Sequence, residues 1–242
     1  MWTGWVNGSL VFFQRSLRFS QKKKTVLKKT LNEEFEELFE AELMRVQQYA
    51  VDVTLDPDTA NPALILSDDG KQVHCGDEEK NLPDNPERFS EGVCVLGNQS
   101  FSSGRFYFEV QVKEKTKWIL GVTRESVNRK EVITVNPENG YWTVALHKNI
   151  NVAFDDPPVR LSLQFHPEKV GVFVDYEEGL VSFYDVGDAA LIYSFTEFIS
   201  LTTSVFTSKR FYSIQELLRC FLLVCRTVLV LFCRPARRNP SV

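Results

Sequence analysis

The sequence predicts an all-β protein built as an antiparallel sandwich or barrel. From residue 51 onward, apolar side chains recur at every second position in about a dozen short segments, which is the period of a strand. Turn residues separate these segments at nearly regular spacing, and no helical segment lies between them. Regularly spaced strands without intervening helices are typical of an antiparallel sandwich or barrel.

The composition supports a folded core and argues against one class of partner. Of the 242 residues, 43% are apolar and 12% aromatic, enough to fill a core. The formal charge of −4 is uneven, because residues 31–208 carry 14 basic against 31 acidic side chains, a net of −17. Phosphate backbones are bound by clustered Lys and Arg, so we expect no nucleic-acid binding by this central region.

Cysteine and histidine positions predict neither a metal site nor a cofactor. The chain has five cysteines, none in a Cys-x-x-Cys pair, and only three histidines. An odd number of unpaired cysteines is typical of a protein kept reduced, which predicts a cytoplasmic location. The sequence also lacks a nucleophile–base, metal or phosphate-loop motif, so no catalytic residue is predicted.

In the N-terminal region the apolar side chains do not recur at every second position as they do from residue 51 onward. Residues 1–24 form a basic leader ending in three lysines, which is predicted to be disordered. Residues 25–49 change to helical spacing, and the amphipathic helix predicted for 25–48 begins with Leu27 and Leu31. This helix either packs on the domain that follows or is the end of a coiled coil through which the chain self-associates.

Strands in the first half of the domain are predicted from alternation and turns. Residues 51–55 alternate and are stopped by Asp-Pro. Residues 63–66 and 71–75 flank an Asp-Asp-Gly sequence, which predicts a hairpin. The polar, proline-containing stretch 76–90 predicts a loop, and 105–112 alternates again as a strand.

The second half continues the pattern. Further strands are predicted at 117–123, 139–146, 161–165 and 190–195, with a short polar run and no strand between the second and the third. Residues 170–184 form the most apolar hairpin, with Glu178-Gly179 at the turn. A hairpin that is apolar on both faces must be covered on both faces.

Three stretches, in this order, resemble the signature motifs of PRY-SPRY domains: Leu55-Asp56-Pro57, Phe108-Glu109-Val110 and Val174-Asp175-Tyr176-Glu177. The middle motif of that family usually begins with Trp, where this chain has Phe108. Residues 118–122, 139–143 and 191–195 match as well. The resemblance covers about residues 50–196 and is to the C-terminal halves of fish tripartite-motif (TRIM) proteins.

The resemblance implies a fold and a function. It implies a bent, concanavalin-like sandwich of two antiparallel sheets, preceded by a helix, that binds a protein partner through loops at one end. Catalysis in TRIM proteins belongs to a RING finger that needs eight Cys and His ligands, and residues 1–50 contain neither residue type. The expected function is therefore non-enzymatic: the substrate-recognition part of a TRIM-like ubiquitin ligase system, acting in innate immunity.

The resemblance also implies binding residues. In related domains the strand after Gly-Tyr-Trp carries aromatic side chains that line the partner pocket. The matching positions are Ala145 and His147, followed by Lys148, Asn149 and Asn151. Ala145 departs from the family pattern, which implies a shallower pocket or a different partner.

Other prominent residues are predicted to be either second-rank binding residues or architecture. Loops at 77–88 and 124–129 are the second-rank candidates, because loops on a rigid scaffold carry binding residues. The acidic residues Glu109 and Asp175 are expected to satisfy hydrogen bonds inside the sandwich. The aromatic residues Trp118 and Trp142 are expected in the core.

Residues 197–242 leave the family pattern and form an apolar and basic tail. Residues 214–222 fit a helix, and 228–232 fit a helix or a strand. A membrane span over 211–233 is disfavoured, because three charged side chains would each cost about 2.5–3.5 kcal/mol near the bilayer centre. A replaced C-terminus, which would leave the sandwich without a strand, is the favoured interpretation. The alternative function is a butyrophilin-like or tail-anchored membrane protein with a cytosolic PRY-SPRY domain.

Overall fold

The computed structural model describes residues 29–31, 33–163, 166–196, 218–224 and 229–232. The basic leader and most of the C-terminal tail lie outside these residues. By its internal contacts the chain divides into two units, Met1–Glu42 and Leu43–Val242.

A helix, α1, occupies residues 29–31 and 33–47, so the described part of the helix prediction is confirmed. The described residues of the first unit all belong to it. Three apolar side chains in that unit are largely exposed: Leu31 at 48%, Phe35 at 49% and Leu38 at 65%. No helix of the described chain has the length and apolar composition needed to cross a membrane.

The second unit is built from strands. They are β1 (Leu64–Leu66), β2 (Gln72–Cys75), β3 (Cys94–Phe101), β4 (Arg105–Gln111), β5 (Lys117–Arg124), β6 (Tyr141–His147), β7 (Ile150–Ala153), β8 (Val159–Leu161), β9 (Lys169–Asp175), β10 (Leu180–Asp185), β11 (Ala190–Phe195), β12 (Leu218–Val224) and β13 (Leu229–Phe232). A seven-stranded sheet has the order β1-β2-β13-β4-β9-β10-β11, and a six-stranded sheet has the order β3-β12-β5-β6-β7-β8. Every pairing between these strands is antiparallel, which confirms the predicted fold class.

The main core lies between the two sheets. Alternate side chains of both sheets meet there, among them Phe106 and Phe108 from β4 and Trp118 and Trp142 from β5 and β6, each at most 2% exposed. Burial of this kind stabilises a domain by about 25 cal/mol for each Å² of apolar surface removed from water. The core therefore supplies the second layer that the sequence requires for the 170–184 hairpin.

The other face of that hairpin is also covered. Phe173 of β9 and Tyr184 of β10 pack with Tyr107, Leu43 and Val46 in a second buried cluster. Leu43 and Val46 belong to the last turns of α1, within the second unit. The turn between β9 and β10 has Gly179 at φ +62°, as expected for a glycine turn.

The C-terminal strands correct one prediction. Residues 218–224 form strand β12 between β3 and β5, not a helix, and β13 lies between β2 and β4. The predicted loss of a strand is therefore wrong for the described tail. Alternating and helical spacing are hard to separate in a run that is apolar almost throughout, and only pairing with neighbouring strands distinguishes them.

Three further differences concern short segments. Residues 51–55 do not form a regular strand. Leu55 N donates to Gly70 O and Asp56 N donates to Leu96 O, so the segment bridges two other elements. The run after β6 contains β7, which its polar residues concealed. Residues 159–161, and not 161–165, form the next strand, and 164–165 lie outside the described residues.

Candidate partner-binding site

The predicted binding residues lie on the hairpin of β6 and β7. A two-residue turn, Lys148-Asn149, joins the strands, and both residues have positive φ, 50° and 61°. This backbone is the type I′ geometry that matches the twist of paired strands. Lys148 and Asn149 are exposed at the tip of the hairpin.

The hairpin places the remaining predicted residues on two different faces. Trp142, Val144 and Leu146 point into the main core, so alternation puts Ala145 and His147 on the outer face of the six-stranded sheet. Asn151 lies opposite Leu146 on one side and Leu161 on the other, which places it on the core face. Ala145 and His147 thus share a face with each other and not with Asn151.

Ala145 belongs to a row of residues across four strands of the outer face. Strand register aligns Ile119 of β5 with Ala145, Ala145 with Val152 of β7, and Val152 with Arg160 of β8. Neighbouring strands are about 4.8 Å apart, so the row is about 14 Å long. Ala145 is only 3% exposed, whereas Ile119 and Val152 are partly exposed and Arg160 is exposed. Ile119 also packs against the buried cluster of Phe89, Cys94, Leu96 and Tyr141, so a partner would contact the row mainly through Val152 and Arg160.

A second row runs beside the first. It aligns Lys117, His147 and Ile150, with His147 exposed and the other two partly exposed. Together with Lys148 at the tip, the two rows combine apolar side chains with several basic ones. We call these seven positions and Lys148 the outer face; its members are Lys117, Ile119, Ala145, His147, Lys148, Ile150, Val152 and Arg160.

Asn151 has a different environment. Its side chain is 5% exposed, its Nδ2 donates to His166 Nδ1 over 3.1 Å, and its Oδ1 has no hydrogen-bond partner. An unsatisfied buried acceptor costs about 1–3 kcal/mol. Its contacts link β7 to the segment before β9, which is a structural role.

Two buried arginines hold the second-rank loops. Arg88 donates from Nη1 to Pro57 O at 2.9 Å and to Ala60 O at 2.7 Å, and it is 5% exposed. Arg129 donates from Nη2 to Glu125 O and to Glu125 Oε1, both at 2.8 Å. Arg88 therefore ties the 77–88 loop to residues 57–60, and the Arg129 bonds to Glu125 close the 124–129 loop on itself. Arg129 Nη1 also donates to Glu87 O at 3.2 Å, which joins the two loops.

The middle signature motif stabilises the seven-stranded sheet on the face that points away from the main core. Glu109 is 2% exposed, and its Oε1 accepts from Gln47 Nε2 at 3.0 Å and from the Tyr107 hydroxyl at 3.1 Å. Its Oε2 lies 3.1 Å from Lys169 Nζ without hydrogen-bond alignment, so that contact is ionic only. The motif joins the end of α1 to β4 and β9. Glu109 is buried and hydrogen-bonded as predicted, but on the α1 side of the sheet and not between the two sheets.

The third motif holds the β9–β10 turn. Asp175, 5% exposed, accepts from Arg105 Nε at 2.6 Å and from Glu178 N at 3.2 Å. Hydrogen bonds to Tyr49 and to Asp175 raise the pKa of Arg105, so its charge is retained. The predicted role of Asp175 inside the fold is confirmed.

The remaining prominent residues are the two predicted core tryptophans and two tyrosines with raised pKa values. Trp118 and Trp142 are buried in the core, as predicted. Burial raises the pKa of Tyr141 to about 12, and burial with a 2.6 Å bond to Asp155 raises that of Tyr193 to about 12, so both phenols stay protonated. Across the described residues, no group of His, Cys, Asp and Glu side chains could hold a metal ion.

Sequence reasoning missed Ile119, Val152 and Arg160. The signal that identifies them is strand register, because each lies beside Ala145 or its neighbour only once β5 to β8 are paired. Alternation within a strand shows which residues share a face, but it does not show which strands are adjacent.

Comparisons with known proteins agree with the fold. The PRY model (SPRY-associated domain) matches residues 53–101 and the SPRY domain model matches residues 105–212. The TRIM65 PRY-SPRY domain superposes with a TM-score of 0.63 at 21% identity, over 78% of this chain and 93% of that one. Fold and sequence therefore define a PRY-SPRY sandwich, a class of non-catalytic protein-interaction module.

The chain belongs to the PRY-SPRY family. It is 46% identical to human pyrin over 178 residues, 73% of this chain and 23% of pyrin. It is 49% identical to mouse E3 ubiquitin-protein ligase TRIM21 over 148 residues, 61% of this chain and 32% of the ligase. It is 42% identical to bovine butyrophilin subfamily 1 member A1 over 184 residues, 76% and 33% of the two chains. The matches thus span between about a quarter and a third of these relatives.

Proposed function

We propose that this chain is a non-enzymatic recognition module that binds a protein partner with the outer face of β5 to β8. The observation that carries the proposal is the pair of aligned rows, in which partly exposed Ile119, Ile150 and Val152 adjoin exposed His147 and Arg160. Apolar side chains surrounded by polar ones are the usual composition of a protein interface. A rigid sheet holds them in place, which lowers the entropic cost of binding.

In this proposal the module selects substrates for a TRIM-like ubiquitin ligase system in the cytoplasm, with a role in innate immunity. The similarity to an E3 ubiquitin-protein ligase supports that assignment. Self-association through α1 would present two recognition faces. Nucleic acid and membrane are not the expected ligands, since residues 31–208 carry a net charge of −17.

The test uses a triple variant, His147→Ala with Ile150→Ser and Val152→Ser, which removes outer-face side chains without adding charge. Partners captured from cells by the wild-type chain are purified, and their affinities for both proteins are measured by calorimetry. We expect binding about tenfold weaker or worse in the variant, because interface anchors contribute more than about 1 kcal/mol each.

The matched control is Val132→Ser with Leu191→Ser, which removes exposed apolar side chains elsewhere. It should bind like wild type. Equal affinity of the triple variant and wild type for every captured partner would exclude the outer face as the site. Ubiquitin transfer by the purified chain alone would contradict the non-enzymatic assignment.

Similarity to butyrophilin supports a second candidate, a butyrophilin-like or tail-anchored membrane protein whose PRY-SPRY domain faces the cytosol. Fractionation of cells expressing the full chain separates the two candidates. Recovery with membranes after a high-salt wash would favour the second, and recovery in the cytosolic fraction would favour the first.

A further inference from the structure

One end of the sandwich differs in charge from the rest of the domain. Residues 112–117, 147–149 and 159–168, which we call the basic end, contain five Lys or Arg and two Glu, a net of +3. The rest of residues 43–196 contains nine basic and 22 acidic side chains, a net of −13. Positive charge is therefore concentrated where the outer face meets the end of the sandwich.

Contacts in the structure bring these segments together. Lys117, at the start of β5, pairs with His147 at the end of β6. Val112 N donates to Glu168 O at 2.8 Å, and Asn151 contacts His166 at 3.1 Å. The described residues of these segments, 112–117, 147–149, 159–163 and 166–168, therefore lie at the same end of the two sheets.

Much of this positive charge faces water. Lys113 pairs with Glu168 at 3.1 Å, which neutralises one lysine. Lys148 and Arg160 are exposed and make no ion pair with any residue that the structure describes. Uncompensated surface charges attract opposite charge over about 8–10 Å at ordinary ionic strength.

The apolar part of the outer face adjoins these charges. Arg160 continues the row of Ile119, Ala145 and Val152, and Lys148 follows His147 directly. Ala145 itself is only 3% exposed, so the accessible part of this row lies at Val152 and Arg160. Partly exposed Ile150 and Val152 thus offer apolar contacts to a partner, with exposed Lys148 and Arg160 as neighbouring cations.

We propose that the segment recognised by the outer face is an acidic peptide of a partner protein that carries apolar anchor residues. This inference rests on the proposed function, since it specifies the partner of the same face. A nucleic acid fits less well, because the row has no aromatic side chain on which bases could stack and the rest of the domain is strongly negative.

The probe is a fluorescent twelve-residue peptide of alternating glutamate and leucine. Two matched peptides replace its glutamates by lysine or its leucines by serine, and a single-stranded oligonucleotide represents nucleic acid. We measure anisotropy at low and high salt, and amide chemical-shift changes by NMR. The acidic apolar peptide should bind, should weaken about tenfold on raising the salt, and should shift amides of the outer face.

A charge-reversal variant, Lys148→Glu with Arg160→Glu, should weaken that binding about tenfold or more. Lys29→Glu, at an exposed lysine of α1 outside all the proposed binding segments, is the control and should change the affinity less than about twofold. Equal binding of the lysine peptide, tighter binding of the oligonucleotide, or unchanged binding to the charge-reversal variant would overturn the inference.

The two variants distinguish failure of the proposed function from failure of the acidic-peptide inference. In one outcome, a captured partner fails to bind the triple variant of the outer face and still binds the charge-reversal variant normally. That result would support the proposed function and would exclude an acidic peptide as the recognised segment. A partner that binds both variants normally would exclude both.

Discussion

Gly171 on β9 allows another residue, Tyr107, to pack directly against the sheet. A Cβ at position 171 would lie 2.3 Å from the Tyr107 hydroxyl oxygen and 2.8 Å from two ring carbons. Tyr107 is 1% exposed and donates to Glu109, so its ring has nowhere to move without breaking that bond. The motif glutamate and the glycine opposite it are therefore parts of one packing arrangement.

We predict that Gly171→Ala lowers the free energy of unfolding by about 2–3 kcal/mol, from overpacking and from the lost hydrogen bond. Urea unfolding measures the change. Gly187→Ala is the control, since its Cβ would approach only a side-chain oxygen, at 3.3 Å. It should cost less than about 0.5 kcal/mol. Equal effects of the two substitutions would contradict the proposed packing.

Asp185 at the end of β10 is a residue whose charge opposes folding. It is 9% exposed, and its Oδ1 accepts from the backbone N of Gly187 at 2.9 Å and of Asp188 at 3.3 Å. Burial raises its pKa above the usual 3.8, and the nearby charges of Asp188 and Glu168 act in the same direction. A raised pKa in the folded state means that the stability from this group is present below pH 3.8 and is lost as the pH rises through the folded-state value.

Asp185→Asn should therefore be more stable than wild type at pH 7, because the amide retains an acceptor and carries no charge. The difference in stability between Asp185→Asn and wild type should shrink to zero as the pH falls below about 3.8. Thermal unfolding between pH 3 and pH 8 measures it. Glu178→Gln, at an exposed carboxylate, is the control and should change the stability at pH 7 by less than about 0.5 kcal/mol. A gain in Asp185→Asn that is independent of pH would show that the charge is not its cause.

At the scale of elements, the two C-terminal strands complete both sheets. β12 is the only described link between β3 and β5, and β13 is the only described link between β2 and β4. Without them, four strands would expose unpaired backbone groups, which are costly when buried and promote aggregation when exposed. The two described tail strands are thus integral parts of the sheets, and the match to the SPRY domain model itself extends to residue 212.

A chain ending at residue 196 should fail to unfold cooperatively, whereas a chain ending at residue 232 should behave like the full chain. Thermal unfolding followed by circular dichroism compares them. Limited proteolysis of the full chain should leave a core that extends through β13. A stable, cooperative 1–196 fragment would show that the sheets close without the tail strands.

At the scale of the whole molecule, the exposed apolar side of α1 predicts self-association. Leu31, Phe35 and Leu38 repeat at four and three residues and are 48–65% exposed, which is the spacing of a helix-pairing seam. Sedimentation velocity should show a dimer whose fraction increases with concentration. Leu38→Glu should abolish it, since a charge in such a seam is costly to bury.

Val132→Glu is the matched control for this experiment, because Val132 is 82% exposed on the second unit. It should dimerise like wild type. A wild-type chain that stays monomeric at every concentration, or a Leu38→Glu chain that still dimerises, would exclude α1 as the contact.

Much of this molecule could be predicted from local sequence. Alternation identified most of the strands, including the 170–184 hairpin, since a strand's period depends only on its own residues. The glycines at turns, such as Gly70, Gly104 and Gly179, have positive φ because other residues are strained there. The burial and hydrogen bonding of the motif residues Glu109 and Asp175 were predicted correctly, since isolated charges in apolar strands must be paired. Their place on the face of the seven-stranded sheet away from the main core was not predicted.

The candidate site was predictable only in part. The hairpin positions 145–151 were found by resemblance, but their division between two faces and the rows that contain Ile119, Val152 and Arg160 depend on which strands are neighbours. The same holds for β12, whose apolar run is compatible with a helix until it pairs with β3 and β5. Period and turn chemistry are local, so the sequence by itself determined the kind of fold and its motifs. Strand order and register are set by contacts between residues far apart in sequence, so only the assembled sheets decided which residues share the proposed binding face.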